Sequence, residues 1–135
     1  MMILEKYSMG VGDRFAHQGK AQLQAMIQAK SLGVEIAPVW NKSFREHEII
    51  HTAPASVRQE ADAAVAALGW TGGYHVDADH ISLKNVDGFL EASDFFTLDV
   101  ADFVGESGSE TDINTFVAKY ESFVGSLAVA GIDAP

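Results

Sequence analysis

The chain has 135 residues, 47% of them hydrophobic, which suits a single globular domain and excludes a disordered segment. It contains no cysteine, so disulfides, thiolate metal sites and cysteine nucleophiles are excluded, and any metal must bind histidine, carboxylate or carbonyl groups. The net charge of −10 sits almost wholly in the second half: residues 1–68 carry seven Lys/Arg and seven Asp/Glu, residues 69–135 two and twelve, a distribution that excludes a nucleic-acid partner because phosphate binding needs clustered cations.

Residues 1–10 carry Glu5 and Lys6 with no long apolar run, so neither a secretory signal nor a membrane span is expected. A cytoplasmic location, a reducing compartment and no membrane partner follow as expectations. Lys6 to Val11 reads as a short strand, after which Gly10 and Gly12 allow a tight turn or close backbone approach ahead of Asp13, Arg14 and His17. Gly19 to Leu32 has an apolar stripe at helical spacing, closed by Gly33. Val34 to Trp40 is the second strand, apolar enough to be covered on both faces. Its loop holds Asn41, Lys42, Ser43, Arg45, Glu46 and His47. Pro54 to Leu68 is an alanine-rich helix started by Pro54 and ended by Gly69.

Tyr74 to Leu83 is the third strand and the stretch richest in chemistry. Val76 and Ile81 fit a buried strand, and Asp77, Asp79 and His80 put two carboxylates and an imidazole within four residues. On a strand Asp77 and Asp79 share a face, whereas His80 points away unless the backbone turns. Paired carboxylates repel, and a divalent cation or a shared proton offsets that repulsion. An Asp-rich turn with Asp79 as a cap is the structural alternative. Asn85 to Ala92 reads as a short helix, Ser93 to Val100 as the fourth strand leading to Asp99 and Asp102, and Asp112 to Val124 as a helix with a core-facing stripe of Ile113, Phe116, Val117, Tyr120, Phe123 and Val124.

Four consecutive βα units imply an α/β fold with a parallel sheet and right-handed crossovers. An eight-fold barrel needs roughly 250 residues, so residues 1–135 are expected to form a single domain equivalent to a partial, half TIM-type barrel, the amino-terminal part of a longer enzyme. An open flavodoxin-like sheet is the alternative. In either case chemistry collects beyond the carboxyl ends of the strands, where Asp13, Arg14, His17, Asn41, Lys42, Arg45, Asp77, Asp79, His80, Asp99 and Asp102 all fall. His47-Glu48-Ile49-Ile50-His51 matches the H-E-x-x-H zinc pattern, but Thr52, Ala53 and Pro54 leave room only for a short helix, and a peptidase reading is set aside.

Four blocks carry a resemblance: Tyr7 to Gly19, Pro38 to Ser43 with Arg45-Glu46-His47, Val76 to Ile81, and Ser93 to Ala101. In combination the chain resembles the tagaturonate epimerase family, whose longer members interconvert tagaturonate and fructuronate with a divalent metal. The family block has a neutral residue where Glu48 stands here, which makes the zinc pattern accidental. The resemblance implies Asp79 as catalytic base, His80 as metal ligand, and Asp13, Arg14, His17, Asn41, Lys42 and Arg45 as contacts to a sugar acid. Lys42 and Arg45 would hold its carboxylate. Asp79 and His80 are exchangeable in role, and loop hydrogen bonding or capping is the bland alternative for Asn41, Asp13, Arg14 and His17. The metal is a divalent cation of unassigned identity, since these ligands suit manganese, iron, nickel and zinc. The inverted carbon lies beta to the ketone, so a retro-aldol cleavage and re-closure is the expected path. The competing function is a non-catalytic half-barrel that binds a sugar acid or a partner chain, with self-association through exposed sheet edges.

Overall fold

A computed structural model describes residues 5–125. The described residues group into two compact units, residues 5–100 and residues 101–125. The larger unit holds four strands, β1 (Ser8–Val11), β2 (Ala37–Ser43), β3 (His75–Ile81) and β4 (Phe95–Leu98), and three helices, α1 (Gly19–Ser31), α2 (Phe44–Ile50) and α3 (Ala55–Leu68). All strand pairs are parallel and the order is β1-β2-β3-β4. Successive units therefore advance in one direction, without the reversal of strand order that marks a doubly wound sheet.

The register explains how one sheet has two different faces. Trp40 pairs with Val76 and Lys42 with Ala78, and alternation puts these four side chains on one face. There Trp40 and Val76 join Leu23 and Met26 of α1 and Val57, Ala61 and Ala64 of α3 in the main core. The alanines of α3 let it approach α1 closely, and truncating Leu23, which is fully buried, would cost about 2–5 kcal/mol. Ala78 and Ile81 pack with Phe89 in a second cluster. The other face of β2 carries the buried Ala37 and Val39 ahead of Asn41, and that of β3 a polar row of His75, Asp77 and Asp79.

Local chemistry sets the helix ends. The Ser43 hydroxyl accepts from the Glu46 amide at 3.3 Å while the Glu46 carboxylate accepts from the Ser43 amide at 3.1 Å, a capping box that starts α2 in a stretch expected to be loop. The entry to α1 has no capping side chain at Gln18. Instead the Asp13 carboxylate accepts from the backbone amides of Phe15, His17 and Gln18 at 3.0–3.2 Å, and Glu60 of α3 accepts from Gly19 at 3.0 Å. The short helix expected over Asn85–Ala92 is only a 3-10 turn at Val86–Gly88, because Asn85 turns its side chain back to accept from the Ser82 amide at 2.8 Å.

At the amino ends of the strands, away from these loops, His75 is buried with Nε2 2.8 Å from Glu5 and Nδ1 3.4 Å from Asp94, which also pairs with Arg58 at 3.1 Å. The His75 hydrogen bond holds the Glu5 carboxyl below its ordinary range, against the opposing effect of burial.

The smaller unit contains α4 (Glu110–Lys119), capped by Ser109, whose hydroxyl accepts from the Asp112 amide at 3.1 Å, followed by a 3-10 turn at Glu121–Phe123. Phe116 and Tyr120 pack with ring centroids 4.7 Å apart and planes tilted by 51°. Ile113, Phe116, Val117 and Phe123 remain exposed, so the stripe expected to face a core is uncovered among the described residues. No helix among the described residues is long and apolar enough to cross a membrane.

Candidate active site at the carboxyl ends of the strands

β3 ends in an irregularity that decides the geometry. Its pairing with β4 runs from Ala78 opposite Phe96 to Ile81 opposite Leu98, so Asp79 and His80 together face the single residue Thr97. This is a β-bulge, a device that re-aims side chains and is enriched beside active sites. His80 takes a left-handed backbone, φ +54°, uncommon outside glycine although histidine tolerates it better than most residues. The turn expected as a condition for His80 to join Asp79 is therefore present. Its ring swings back so that Nδ1 lies 2.8 Å from Asp79 Oδ1, with the His80 side chain 64% exposed and that of Asp79 21%.

Two adjoining depressions share Asp79 and Glu46. The first, open and about 600 Å³, is lined by Gly12, Asp13, Arg14, Phe15, Asn41, Glu46 and Asp79. The second, about 500 Å³, is lined by Ser43, Phe44, Arg45, Glu46, Asp79, His80, Asn85 and Asp99. One arginine thus flanks each side of Asp79: Arg14, whose Nε lies 4.0 Å from Glu46, and the exposed Arg45.

The structure does not bring all the residues singled out from the sequence together. Asp79, His80, Arg14, Asn41 and Arg45 line the depressions. Asp13 lines the first as well, but its carboxylate oxygens are engaged by the backbone amides of its own loop. His17 is exposed, and its hydrogen bond to Asp13 uses its backbone amide. Lys42 stands apart. Alternation turns it to the helix-covered face, where it is 1% exposed and its Nζ has no hydrogen-bond partner. Burial lowers its pKa against the pull of Asp13 and Glu46. Asp102 belongs to the smaller unit.

Glu46 was not picked out as a site residue, and Asp77, read from the sequence as the carboxylate paired with Asp79, was given no role of its own. Burial pushes the Glu46 carboxyl up, yet hydrogen bonds from Ser43 and the charges of Arg14 and Lys42 outweigh it and leave the net pKa lowered. The Ser43-x-x-Glu46 spacing is the signal that could have found it. Asp77 is 6% exposed, one step deeper on the face of Asp79. Its Oδ2 accepts from the Thr97 hydroxyl at 2.7 Å and its Oδ1 is buried without a partner. Burial raises its pKa, with the Asp79 charge adding and the Thr97 bond opposing. A Cβ on Gly12 would overlap the Asn41 side chain, so the glycine is what lets the Asn41 amide lie against β1.

The H-E-x-x-H stretch does not form a zinc site. His51 ends α2 in a left-handed conformation, φ +55°, and is exposed, whereas His47 is 4% exposed. His47 Nδ1 lies 2.9 Å from the Thr52 hydroxyl and its ring packs on Phe89 at 5.8 Å. Burial, with the Lys42 charge adding to it, lowers its pKa to about 4.

No group of three or more histidine, cysteine, aspartate or glutamate side chains among the described residues could hold a metal ion. His80 and Asp79 supply an imidazole and a carboxylate, which is short of the usual protein ligand set. What the arrangement offers by itself is a carboxylate positioned to take a proton, an imidazole oriented by it, and arginines on two sides.

Comparison with known proteins adds a family to this geometry. No curated protein matches the chain. The native crystal structure of the fructuronate-tagaturonate epimerase UxaE from Cohnella laeviribosi superposes with a TM-score of 0.64 at 23% identity, over 96% of this chain and 28% of that one. Its complexes with one and two glycerol molecules give the same TM-score at 23% and 22% identity, over 95% and 87% of this chain and 28% and 26% of theirs. These likenesses show a shared fold, and the chain spans little more than a quarter of those structures. The UxaE family model, described as tagaturonate epimerase, matches residues 1–129, and the chain therefore belongs to the tagaturonate epimerase family.

Proposed function

We propose that this chain carries part of the substrate site of an epimerase that interconverts tagaturonate and fructuronate, with Asp79 and His80 at its centre. Family membership over residues 1–129 supports the reaction class, and the Asp79–His80 pair, with Asp79 lining both depressions and His80 the second, is the observation that carries the site. The one-directional order of four parallel strands supports a partial TIM-type barrel. The glycerol complexes of the Cohnella structures are in keeping with a polyol-binding surface.

In the reading we favour, Asp79 takes the proton of the hydroxyl on the carbon to be inverted. The bond between that carbon and the one next to the ketone breaks, its electron pair moves into the ketone as an enolate, and the hydroxyl carbon becomes an aldehyde. Rotation of the aldehyde and re-addition of the enolate carbon to its other face restore the bond, and Asp79 returns the proton. Arg45 or Arg14 grips the carboxylate, Arg45 from the His80 side and Arg14 from the β1 side. Asn41 contacts a hydroxyl, and Asp13 and His17 shape the loop that carries Arg14. Lys42, buried away from both depressions, would act through its charge rather than by touching the carboxylate. A divalent cation would supply polarisation of the ketone and hydroxyl oxygens. His80 would be its ligand from this chain, and the other ligands would come from outside the described residues.

The second reading, a non-catalytic module that binds a sugar acid or a partner chain, is favoured by the coverage of little more than a quarter of the Cohnella structures. The test is to follow tagaturonate by NMR with the purified chain and added divalent cations. Conversion to fructuronate supports the enzyme, binding without conversion supports the module, and neither would remove the sugar-acid reading.

A further inference from the structure

Asp77 and Thr97 are not needed for any step above, yet the Thr97 hydroxyl donates to Asp77 Oδ2 at 2.7 Å and so ties β3 to β4 beside the bulge. Thr97 is the residue that both members of the bulge face. Without a tie, the pairing could place the extra residue elsewhere along β3, or straighten it and return His80 to the opposite side of the strand from Asp79. A left-handed histidine persists only where its surroundings hold it. Asp77 is suited to hold it because it is fixed in the sheet and 6% exposed, with Thr97 as the hydrogen-bond partner of its side chain.

We infer that Asp77 is a positioning residue: through Thr97 it pins the bulge that turns His80 onto Asp79, so that Nδ1 carries the proton shared with Asp79 and Nε2 is left as the free, ligand-accepting nitrogen. The inference rests on the reading of Asp79 and His80 as the centre of the site. It reaches past that reading by assigning the tautomer, and the residues that set it, to a pair outside the depressions. A carboxylate–hydroxyl bond one row below the reacting groups plays the part that an outer carboxylate plays for a metal-bound histidine.

The experiment is nitrogen-detected NMR of the His80 ring in the labelled chain, at a pH where the ring is neutral, together with the backbone shifts that report a left-handed residue. Thr97 is exposed, so Thr97→Val removes the hydroxyl at constant shape without threatening the fold. The wild-type ring is expected to be mainly Nδ1-protonated with a left-handed backbone. Thr97→Val should move the ring to the Nε2-protonated form that free histidine prefers, and Thr97→Ser should restore the wild-type signal. Asp77→Asn, whose amide oxygen still accepts from Thr97, should keep it, and Asp77→Leu should lose it. A ring unchanged in Thr97→Val, or one that Thr97→Ser fails to restore, overturns the inference. Absence of turnover with these signals intact would count against the epimerase reading alone.

Discussion

His80 Nδ1 lies 2.8 Å from Asp79 Oδ1 even though the two are consecutive residues of a strand, where neighbouring side chains leave opposite faces. The left-handed backbone at His80 is what makes the contact geometrically available. With Asp79 occupying one ring nitrogen, the exposed side of the imidazole presents the other. Removing the carboxylate while keeping its shape is the direct probe: Asp79→Asn should lower turnover about 10²–10⁴-fold, the usual contribution of a positioned general base, and leave thermal unfolding within a few degrees of wild type. Steady-state kinetics beside a melting curve separates loss of chemistry from loss of fold.

Lys42 should oppose stability. Its ammonium group is buried without a hydrogen-bond partner, and its pKa is lowered chiefly by desolvation. The unfolded chain therefore binds its proton more tightly than the folded one. Stability from this group is lowest below the folded pKa and recovers as pH rises toward the unfolded value. Lys42→Met, similar in shape and without charge, is expected to stabilise the protein by about 1–3 kcal/mol at neutral pH, measured by urea denaturation. A large destabilisation would show that the Coulombic pull of Asp13 and Glu46 outweighs the burial.

His47 should make the fold acid-sensitive above the carboxylate range. Its folded pKa is about 4, against 6.5 for the free group, so below pH 6.5 the unfolded chain takes up the proton first and stability falls until pH passes about 4. The loss between pH 7 and 5 is roughly 2 kcal/mol from this one group. Lys42, whose charge lowers the pKa further, and Glu46, whose charge raises it, are the ionisable groups that act on the ring. Asp77, with its raised pKa, works in the opposite sense, favouring the fold as pH falls, so the informative quantity is the difference between wild type and His47→Gln. Denaturant midpoints at pH 7 and 5 should draw together in that variant by about the stated amount.

Gly12→Ala should disturb the site from outside its charged groups. The added methyl overlaps the Asn41 amide and closely approaches its backbone carbonyl, and strain of that kind costs about 1–3 kcal/mol. The expected signature is a displaced Asn41 side-chain amide resonance and weaker sugar-acid binding with the Asp79–His80 pair intact. Unchanged Asn41 resonances would show that β1 moves aside freely.

β1 and β4 are the edge strands of the sheet, and Tyr7, Met9, Phe96 and Leu98 are exposed at or beside them. Unpaired, apolar edges of this kind invite pairing with another chain, so the purified chain is expected to self-associate with rising concentration. Light scattering that gives a constant monomer mass across a hundredfold concentration range would contradict this and would favour an open sheet with protected edges.

The alternation of helical and strand periodicity was enough to locate all four strands and the helices α1, α3 and α4, and to put the polar loops at one end of a parallel sheet, because those features depend on local propensity and the covalent order of the chain. The family was legible for a similar reason, since motifs are strings of neighbours. The roles of individual side chains were not. Lys42 and Asn41 are adjacent in sequence, and only the register of β2 against β3 sends one beneath the helices and the other toward the depressions. Asp79 and His80 would diverge on a regular strand, and only the pairing of β4, with Thr97 opposite two residues, folds them together. Which face a side chain takes is settled by hydrogen bonds between segments distant in sequence, and that information exists only once the sheet has formed.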